Sequence, residues 1–348
     1  MKSIAVVAAA CMLVAASAGA SEAVAPSGSA LERPALAVRA PERAVLLGAA
    51  MAGDRIVAVG ERGIVVVSDD GGHRWTQSPT PTSVTLTAVR FVDARRGWAI
   101  GHGGIVLASR DGGSSWTRQL DGRRAAQIAL VAARETGDAK LIADAERLVA
   151  DGPDKPFLDL VVSEKRVLVV GAYGLALASV DGGQTWTSWI GRLPNPKGLH
   201  LYVVRQRGDT LLLAGERGLV LMSHDDGQSF RRVETPYKGS FFAAELLTGS
   251  TEILLAGLRG NALRSPDGGA NWSSLAAPVP VSITATAVDS RGQVLAANQA
   301  GMLMSVEGER LVQIRSVELP PLNGLLATGN RSILALSFQG PVLIPAKP

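Results

Sequence analysis

The sequence predicts an all-β fold, a seven-bladed β-propeller built from Asp-box repeats (BNR or sialidase-like, within the WD40/YVTN-like group), with a short helical hairpin inserted between blades 2 and 3. Three observations carry this prediction. A phrase of the form S-x-D-x-G-x-x-W recurs along the chain, and a glycine-bracketed turn precedes each copy. Most copies also follow one another at roughly the 40–50 residues expected of propeller blades.

The recurring phrase places an aspartate and an aromatic residue at fixed positions in five copies. The aspartates are Asp70, Asp111, Asp181, Asp225 and Asp267, and the aromatic residues are Trp75, Trp116, Trp186, Phe230 and Trp272. A degenerate sixth copy begins at Ser305. Such an aspartate can accept hydrogen bonds from the amides of its own turn, and the aromatic ring can pack between neighbouring blades. We therefore interpret these residues as structural, not catalytic.

The second phrase, G-x-x-G or a close variant, lies a few residues before each copy of the first. It spans Gly60–Gly63 in the first repeat and ends at Gly340 in a degenerate seventh. Successive final glycines are 41, 70, 44, 42, 41 and 39 residues apart in the numbering. Only the second spacing is anomalous, and an insertion of roughly 30 residues explains it.

Each repeat has room for four short strands separated by these turns, so the propeller is expected to cover residues 35–348. The last repeat has only three candidate strands before the chain stops. The segment Ala35–Arg39 precedes the first blade and has no other assignment. We expect it to supply the fourth strand of the last blade and so close the ring, which would remove two exposed strand edges.

The extra residues of the second spacing predict two short helices at about 123–152. Ile128 and Val131, then Leu141, Ala145 and Leu148, recur at steps of three or four residues among alanines and charges. A disordered insertion is the alternative. In an up-and-down blade, an insertion between blades lies on the same side as the G-x-x-G turns, and the Asp boxes lie on the opposite side.

Residues 1–20 have the pattern of a signal peptide, with Lys2 before a short apolar run and a small-residue cleavage site before Ser21. We expect an exported, periplasmic or otherwise extracytoplasmic protein, with residues 21–34 as a linker. Cys11 is the only cysteine and lies in this signal, although a lipoprotein signal ending there is a second interpretation. No later stretch has the ~20 apolar residues that a spanning helix needs.

Charge and histidine spacing argue against several kinds of ligand. The net charge of +4 over 348 residues is too small to indicate a nucleic-acid surface. The four histidines form no spaced pair typical of a metal site, and no pattern indicates a cofactor. We expect neither a metal nor a cofactor, and a monomer that binds another protein.

The side of the propeller with the G-x-x-G turns is the predicted partner-binding face, because propellers usually bind where loops vary over a rigid frame. The predicted contact residues are Arg62, His102, Tyr173, Arg217 and Arg259. Guanidinium groups in several blades could converge on a carboxylate. Alternatively, each arginine pairs with a neighbouring acid, since Glu61 and Glu216 precede two of them.

Taken together, the blades, the glycine-bracketed turns, the D-G-G-x-x-W boxes and the signal make the chain similar to the Ycf48/Hcf136-like family of photosystem II assembly factors and their bacterial relatives. The similarity covers about residues 35–347, apart from the helical insertion. It implies a non-catalytic propeller that uses a basic surface to hold a membrane-protein segment or complex during assembly. Nothing in these residues reveals whether the host is photosynthetic.

An exo-sialidase-like glycoside hydrolase, or a glycan-binding propeller, is the competing interpretation, because sialidases carry the same boxes. The three arginines resemble the sialidase arginine triad. However, the tyrosines after the signal are Tyr173, Tyr202 and Tyr237, and the sequence shows no acidic partner for Tyr173 or Tyr237. Glycosidases that retain configuration otherwise need two carboxylates about 5 Å apart. Glu61 and Glu216 lie three blades apart, so we expect no catalytic residues.

Overall fold

The computed structural model describes residues 29–315, 319–329 and 332–345. The predicted signal peptide, including Cys11, lies outside the described residues. Within them, no helix is long and apolar enough to cross a membrane.

Seven antiparallel sheets follow one another along the chain and form a closed ring. The innermost strand of each sheet contacts the innermost strand of the next, and the innermost strand of the last sheet contacts that of the first. The first residue of every innermost strand is fully buried, from Leu46 in blade 1 to Leu322 in blade 7. The propeller prediction is therefore confirmed.

The strands run outward from the channel in chain order. In blades 1 to 3 they are β1 (Leu46–Ala52), β2 (Arg55–Gly60), β3 (Val65–Ser68), β4 (Thr76–Ser78), β5 (Leu86–Phe91), β6 (Gly97–Gly101), β7 (Val106–Ser109), β8 (Thr117–Leu120), β9 (Phe157–Val162), β10 (Val167–Gly171), β11 (Ala176–Ser179) and β12 (Thr187–Ser188). In blades 4 and 5 they are β13 (Leu201–Arg207), β14 (Thr210–Gly215), β15 (Val220–Ser223), β16 (Arg231–Arg232), β17 (Phe241–Leu246), β18 (Ile253–Gly257), β19 (Ala262–Ser265) and β20 (Ser273–Leu275). In blades 6 and 7 they are β21 (Ile283–Val288), β22 (Val294–Asn298), β23 (Leu303–Glu307), β24 (Arg310–Gln313), β25 (Leu322–Ala327), β26 (Ile333–Ser337) and β27 (Gly340–Ile344).

The Asp box is a hydrogen-bonded turn between the third and fourth strands of a blade. In blade 3 the Ser179 hydroxyl donates to Asp181 Oδ1 at 2.7 Å and accepts from the Gly183 amide at 2.7 Å. The Thr185 amide donates to the same aspartate at 2.9 Å. These contacts hold the pKa of Asp181 down at about 2, and the hydrogen bond from the Thr185 hydroxyl is the largest cause.

The box tryptophan packs at the boundary with the preceding blade. Trp186 Nε1 donates to the Gly183 carbonyl at 3.1 Å, and its ring packs in a cluster with residues of blades 2 and 3, such as Val106 and Leu177. Trp75, Trp116 and Trp272 make the same hydrogen bond within their own boxes. The box residues are therefore used for folding and for joining blades.

Blade 4 departs from this arrangement because its box has Phe230, which has no N–H to donate. A tryptophan of the preceding blade, Trp189, occupies the boundary and lies 6.2 Å from Phe230 between ring centroids. Arg192 stacks on Trp189 at 4.7 Å and donates to the Gly227 carbonyl at 3.2 Å. The ring and the N–H donor of the missing indole are thus supplied by two residues of blade 3.

The prediction that Ala35–Arg39 forms the fourth strand of blade 7 is wrong. The sheet of blade 7 has three strands among the described residues. The segment instead runs beside β4 of blade 1, where the Gln77 side chain accepts from the Val38 amide at 2.8 Å and donates to the Leu36 carbonyl at 2.9 Å. One side-chain amide therefore satisfies the backbone groups that would have paired with blade 7.

Blades 7 and 1 are joined by other contacts. Asn323 Nδ2 donates to the Leu46 carbonyl at 3.3 Å across the two innermost strands. At Gly340, where φ is +104°, a Cβ would lie 2.0 Å from the Glu42 carbonyl, so the chain before β1 packs directly on this turn. The described part of the predicted linker also packs on the propeller, since Leu31 is buried.

The predicted helical insertion is confirmed as α1 (Gly122–Thr136) and α2 (Ala139–Asp151). Asp121 caps α1 by accepting from the Arg124 amide, and Asp138 caps α2 by accepting from two amides of its first turn. Gly137 ends α1 in the left-handed conformation, with φ of 70°. Because Gly122 and Pro153 are in contact, the hairpin leaves and rejoins the propeller at one point.

Deleting Arg123–Gly152, so that Gly122 is joined to Pro153, is expected to leave a folded propeller. The variant should lose its helical circular dichroism and keep one cooperative urea transition. The free energy of unfolding should fall by about 2–4 kcal/mol, because Ala125 and Leu148 no longer cover apolar side chains of blades 2 and 3. Loss of cooperative β unfolding would contradict the assignment of the hairpin as an insertion.

The hydrogen-bonded aspartates of the boxes predict that the folded chain loses stability in acid. The pKa of Asp181 is about 2 in the folded chain against an ordinary value of 3.8, so its stabilising contribution is complete above pH 4 and is lost as the pH falls towards 2. Urea unfolding followed by tryptophan fluorescence should therefore show decreasing stability over this range, with a smaller slope in Asp181→Asn. Asp54→Asn, which removes one exposed carboxylate outside the boxes, is the control for the change in net charge.

Candidate protein-binding face

One side of the ring is formed by the turns between the second and third strands and by the connections between blades. We call it the turn face. Its turns are Glu61–Gly63, His102–Gly104, Ala172–Gly174, Glu216–Gly218 and Leu258–Gly260. A Cβ at Gly63 would lie 2.0 Å from the Thr82 carbonyl of the next connection, so turn and connection pack together. The helical hairpin is one of these connections and lies on the turn face.

Four side chains on the turn face are held in an unfavourable backbone conformation. Arg62, Tyr173, Arg217 and Arg259 occupy the same turn position in blades 1, 3, 4 and 5, with φ between 53° and 57°. The left-handed region costs a non-glycine residue roughly 1–2 kcal/mol. Blade 2 has Gly103 at this position, so His102 lies one residue earlier and does not belong to the set.

The predicted arginines differ in their ion pairing. Arg217 Nε lies 3.5 Å from Glu216 Oε1, but the arginine side chain is 72% exposed, so the pair is weak. Arg62 and Arg259 are exposed and form no ion pair with a described residue, even though Glu61 is adjacent to Arg62. The alternative of neighbour pairing therefore applies to blade 4 only.

An aromatic cluster extends from Tyr173 across blades 3, 4 and 5. Ring centroids are 5.0 Å apart for Tyr173 and His200, 6.0 Å for His200 and Tyr202, and 5.2 Å for Tyr202 and Phe242. The Tyr173 amide donates to His200 Nδ1 at 2.9 Å, so the neutral imidazole carries its proton on Nε2. Lys155 Nζ lies 5.1 Å from the centre of the Tyr173 ring. Lys155 is itself paired with Asp151 and Asp154, so the cluster offers aromatic surface beside a neutralised cation.

Tyr202 of this cluster is not activated in the way that a sialidase nucleophile requires. Burial raises the pKa of Tyr202, and the charge of Glu216 raises it further. The phenol is therefore protonated and a poor nucleophile at neutral pH. Glu216 pairs weakly with Arg217 and accepts from the His200 amide at 3.3 Å.

A chain of ion pairs on the innermost strands was not predicted from the sequence. Asp159, which is 8% exposed, accepts from Arg90 at 3.2 Å and from Arg205 at 2.6 Å. Arg205 also lies 3.8 Å from Glu245, which accepts from the Thr286 hydroxyl at 2.7 Å. The chain joins five consecutive blades around the channel. Its signal was a charged residue, Arg90, Asp159, Arg205 or Glu245, inside the inner strands of blades 2 to 5.

The comparisons with known proteins bear on this arrangement. The family model described as photosynthesis system II assembly factor YCF48 matches residues 41–151 and 153–308. The chain belongs to this family. A comparison with curated proteins finds no match.

Solved structures show the same fold. A YCF48 bound to D1 peptide is 17% identical, with a TM-score of 0.63 over 90% of this chain and 99% of that chain. YCF48 from Cyanidioschyzon merolae is 16% identical, with a TM-score of 0.64 over 88% and 97%. A streptogramin B lyase, at 11% identity and a TM-score of 0.67 over 90% and 96%, shows that enzymes share the fold. The YCF48 family itself consists of assembly factors.

The left-handed arginines predict an unusual response to substitution. The variant Arg62→Gly/Arg217→Gly/Arg259→Gly should be at least as stable as the wild type, because glycine removes about 1–2 kcal/mol of strain per site and loses only roughly 0.5–1 kcal/mol of backbone entropy. The matching triple alanine variant keeps the strain and should be less stable than the glycine variant. Urea unfolding measures both. A glycine variant less stable than the alanine variant would show that these turns carry no strain.

Proposed function

We propose that this protein is an exported, periplasmic assembly factor that holds a segment of a membrane or envelope protein on its turn face and catalyses no reaction. The observation that carries the proposal is the left-handed conformation shared by Arg62, Tyr173, Arg217 and Arg259. Strained backbone of this kind is concentrated at binding and active sites. Exposed arginines beside aromatic rings suit a peptide that presents both carboxylates and apolar side chains.

Two further facts support the proposal. The YCF48 structure that resembles this chain has a D1 peptide bound, which makes a protein segment the natural class of partner. Burial and the charge of Glu216 raise the pKa of Tyr202, so this tyrosine is not an activated nucleophile. Export rests on the pattern of residues 1–20.

An affinity pull-down from detergent-solubilised envelope extract tests this function. The wild type should recover a membrane-protein partner, and the triple glycine variant should lose at least about tenfold of it, since each guanidinium contributes charge-assisted hydrogen bonds. The glycine variant suits this test because its fold should be intact. In the same cells, the chain should be found in the periplasmic fraction without residues 1–20, as its intact mass would show.

The control is Arg74→Ala/Arg110→Ala/Lys165→Ala, which removes three exposed cations on the side of the Asp boxes. It should recover the partner as the wild type does. Equal loss in both variants would mean that net charge and not the turn face causes capture. If the triple glycine variant recovers as much partner as the wild type, the three arginines do not bind the partner.

A further inference from the structure

A groove of about 620 Å³ lies between the helical hairpin and the connection from blade 3 to blade 4. Its volume is within the roughly 300–1,000 Å³ typical of binding pockets. It begins at the hairpin tip, where Gly191 faces Leu141 and Thr136. It ends at the hairpin base, where Tyr173 meets Gly198 and Lys155. The groove therefore opens on the turn face and leads to the aromatic cluster.

The walls of the groove are apolar and shaped by small residues. Leu141, Ala145 and Leu148 of α2 form a row at steps of four and three residues, about 10 Å long at the helical rise. The α1 wall contains alanines, including the half-buried Ala132, which leave the groove wide. Pro194 lines the opposite side. An extended chain covers 10 Å in about three residues.

The two ends of the groove carry opposite charge. Glu135 is exposed at the tip. At the base, the exposed Lys197 stands between Pro196 and Gly198, which line the groove, and Gly198 lies next to Tyr173. Neither Glu135 nor Lys197 forms an ion pair with a described residue. Lys140 and Asp144, which also line the groove, neutralise each other in an ion pair. Beyond Tyr173, His200 contacts Glu216 of the blade 4 turn, which also carries Arg217. Asp138 adds a second carboxylate at the tip. Arg192 also lines the groove, but its guanidinium stacks on Trp189 and donates to the Gly227 carbonyl. An occupant therefore meets negative charge at the tip and positive charge at the base.

We infer that this groove is a subsite for an extended stretch of about three apolar residues in the bound segment. A basic residue of the segment faces Glu135, and an acidic residue faces Lys197. The apolar side chains lie along Leu141, Ala145 and Leu148, and the chain continues over Tyr173 towards Arg217. The inference rests on the proposed function and adds to it a place, a direction and a side-chain preference.

Fluorescence anisotropy with synthetic peptides tests the subsite directly. The probe is fluorescein-labelled Gly-Gly-Lys-Leu-Val-Leu-Glu-Gly-Gly. The comparison peptides exchange its lysine and glutamate or replace its three apolar residues by serine. The wild-type chain should bind the probe, bind the serine peptide at least about tenfold more weakly, and bind the exchanged peptide about threefold more weakly at low ionic strength.

Neighbouring residues of α1 give a matched pair of variants. Ala132→Trp fills the groove and should weaken probe binding at least about tenfold, whereas Val131→Trp, at a residue that is 58% exposed and outside the groove, should not. Circular dichroism checks that both variants keep the hairpin. Glu135→Lys/Lys197→Glu should reverse the preference between the probe and the exchanged peptide.

Equal binding of the probe to the Ala132→Trp and Val131→Trp variants, or no binding to the wild type, would overturn the subsite. The envelope pull-down decides the proposed function separately. If the triple glycine variant loses the partner and Ala132→Trp retains it, the proposed function is supported and the groove is not a subsite for that partner. If the probe binds and Ala132→Trp weakens its binding, but no partner is captured through the arginines, the subsite is supported and the proposed function is contradicted.

Discussion

At four blade boundaries an indole from one blade lies against the strands of the blade before it, and its N–H is donated to a glycine carbonyl of its own turn. The box serine and aspartate fix that turn. One Asp box therefore specifies both the turn between two strands and the tryptophan that packs against the preceding blade. A single four-stranded sheet cannot bury both of its faces. The ring is stable because every boundary is filled, and an unfilled boundary would expose apolar surface on two blades at once.

The rigid frame explains why the turn face can hold strained residues. Each turn is fixed from below by its own two strands and from the side by the connection to the next blade, where Gly63 and Gly218 allow the backbones to touch. A turn held in this way keeps Arg62 and Arg217 in the left-handed conformation without local unfolding. The hairpin adds an apolar wall to the same side, so charge, aromatic surface and a groove lie next to one another.

The repeats made the blade number, the turns and the insertion predictable, because most blades contain the same glycine-bracketed turn and Asp box. The fourth strand of blade 7 was predicted wrongly for a physical reason. The apolar residues Leu36 and Val38 give the segment the composition of a strand, but strand pairing depends on which backbone groups are free, and the Gln77 side chain takes two of them.

The turn-face arginines could be placed from the repeat alone, whereas their strain could not, since φ does not follow from residue type. Two other features need distant neighbours. The aromatic cluster joins Tyr173 to Phe242 across three blades, and the ion pairs of Asp159 come from residues of blades 2 and 4. In the sequence these are isolated residues in unrelated repeats, with no local pattern that relates them.

The boundary between blades 3 and 4 makes the repeats unequal as building blocks. Blades 1, 2, 3 and 5 each bring their own box tryptophan, so such a blade from a related propeller could be exchanged by matching its turns. Here the tryptophan at the boundary belongs to blade 3, and Gly227 leaves room for it, since a Cβ at this position would lie 2.4 Å from the Trp189 ring. Blades 3 and 4 must therefore be transplanted, duplicated or diversified as one module. Evolution at Trp189, Arg192 and Phe230 should be concerted, because a change at one alters which residues the other two positions tolerate.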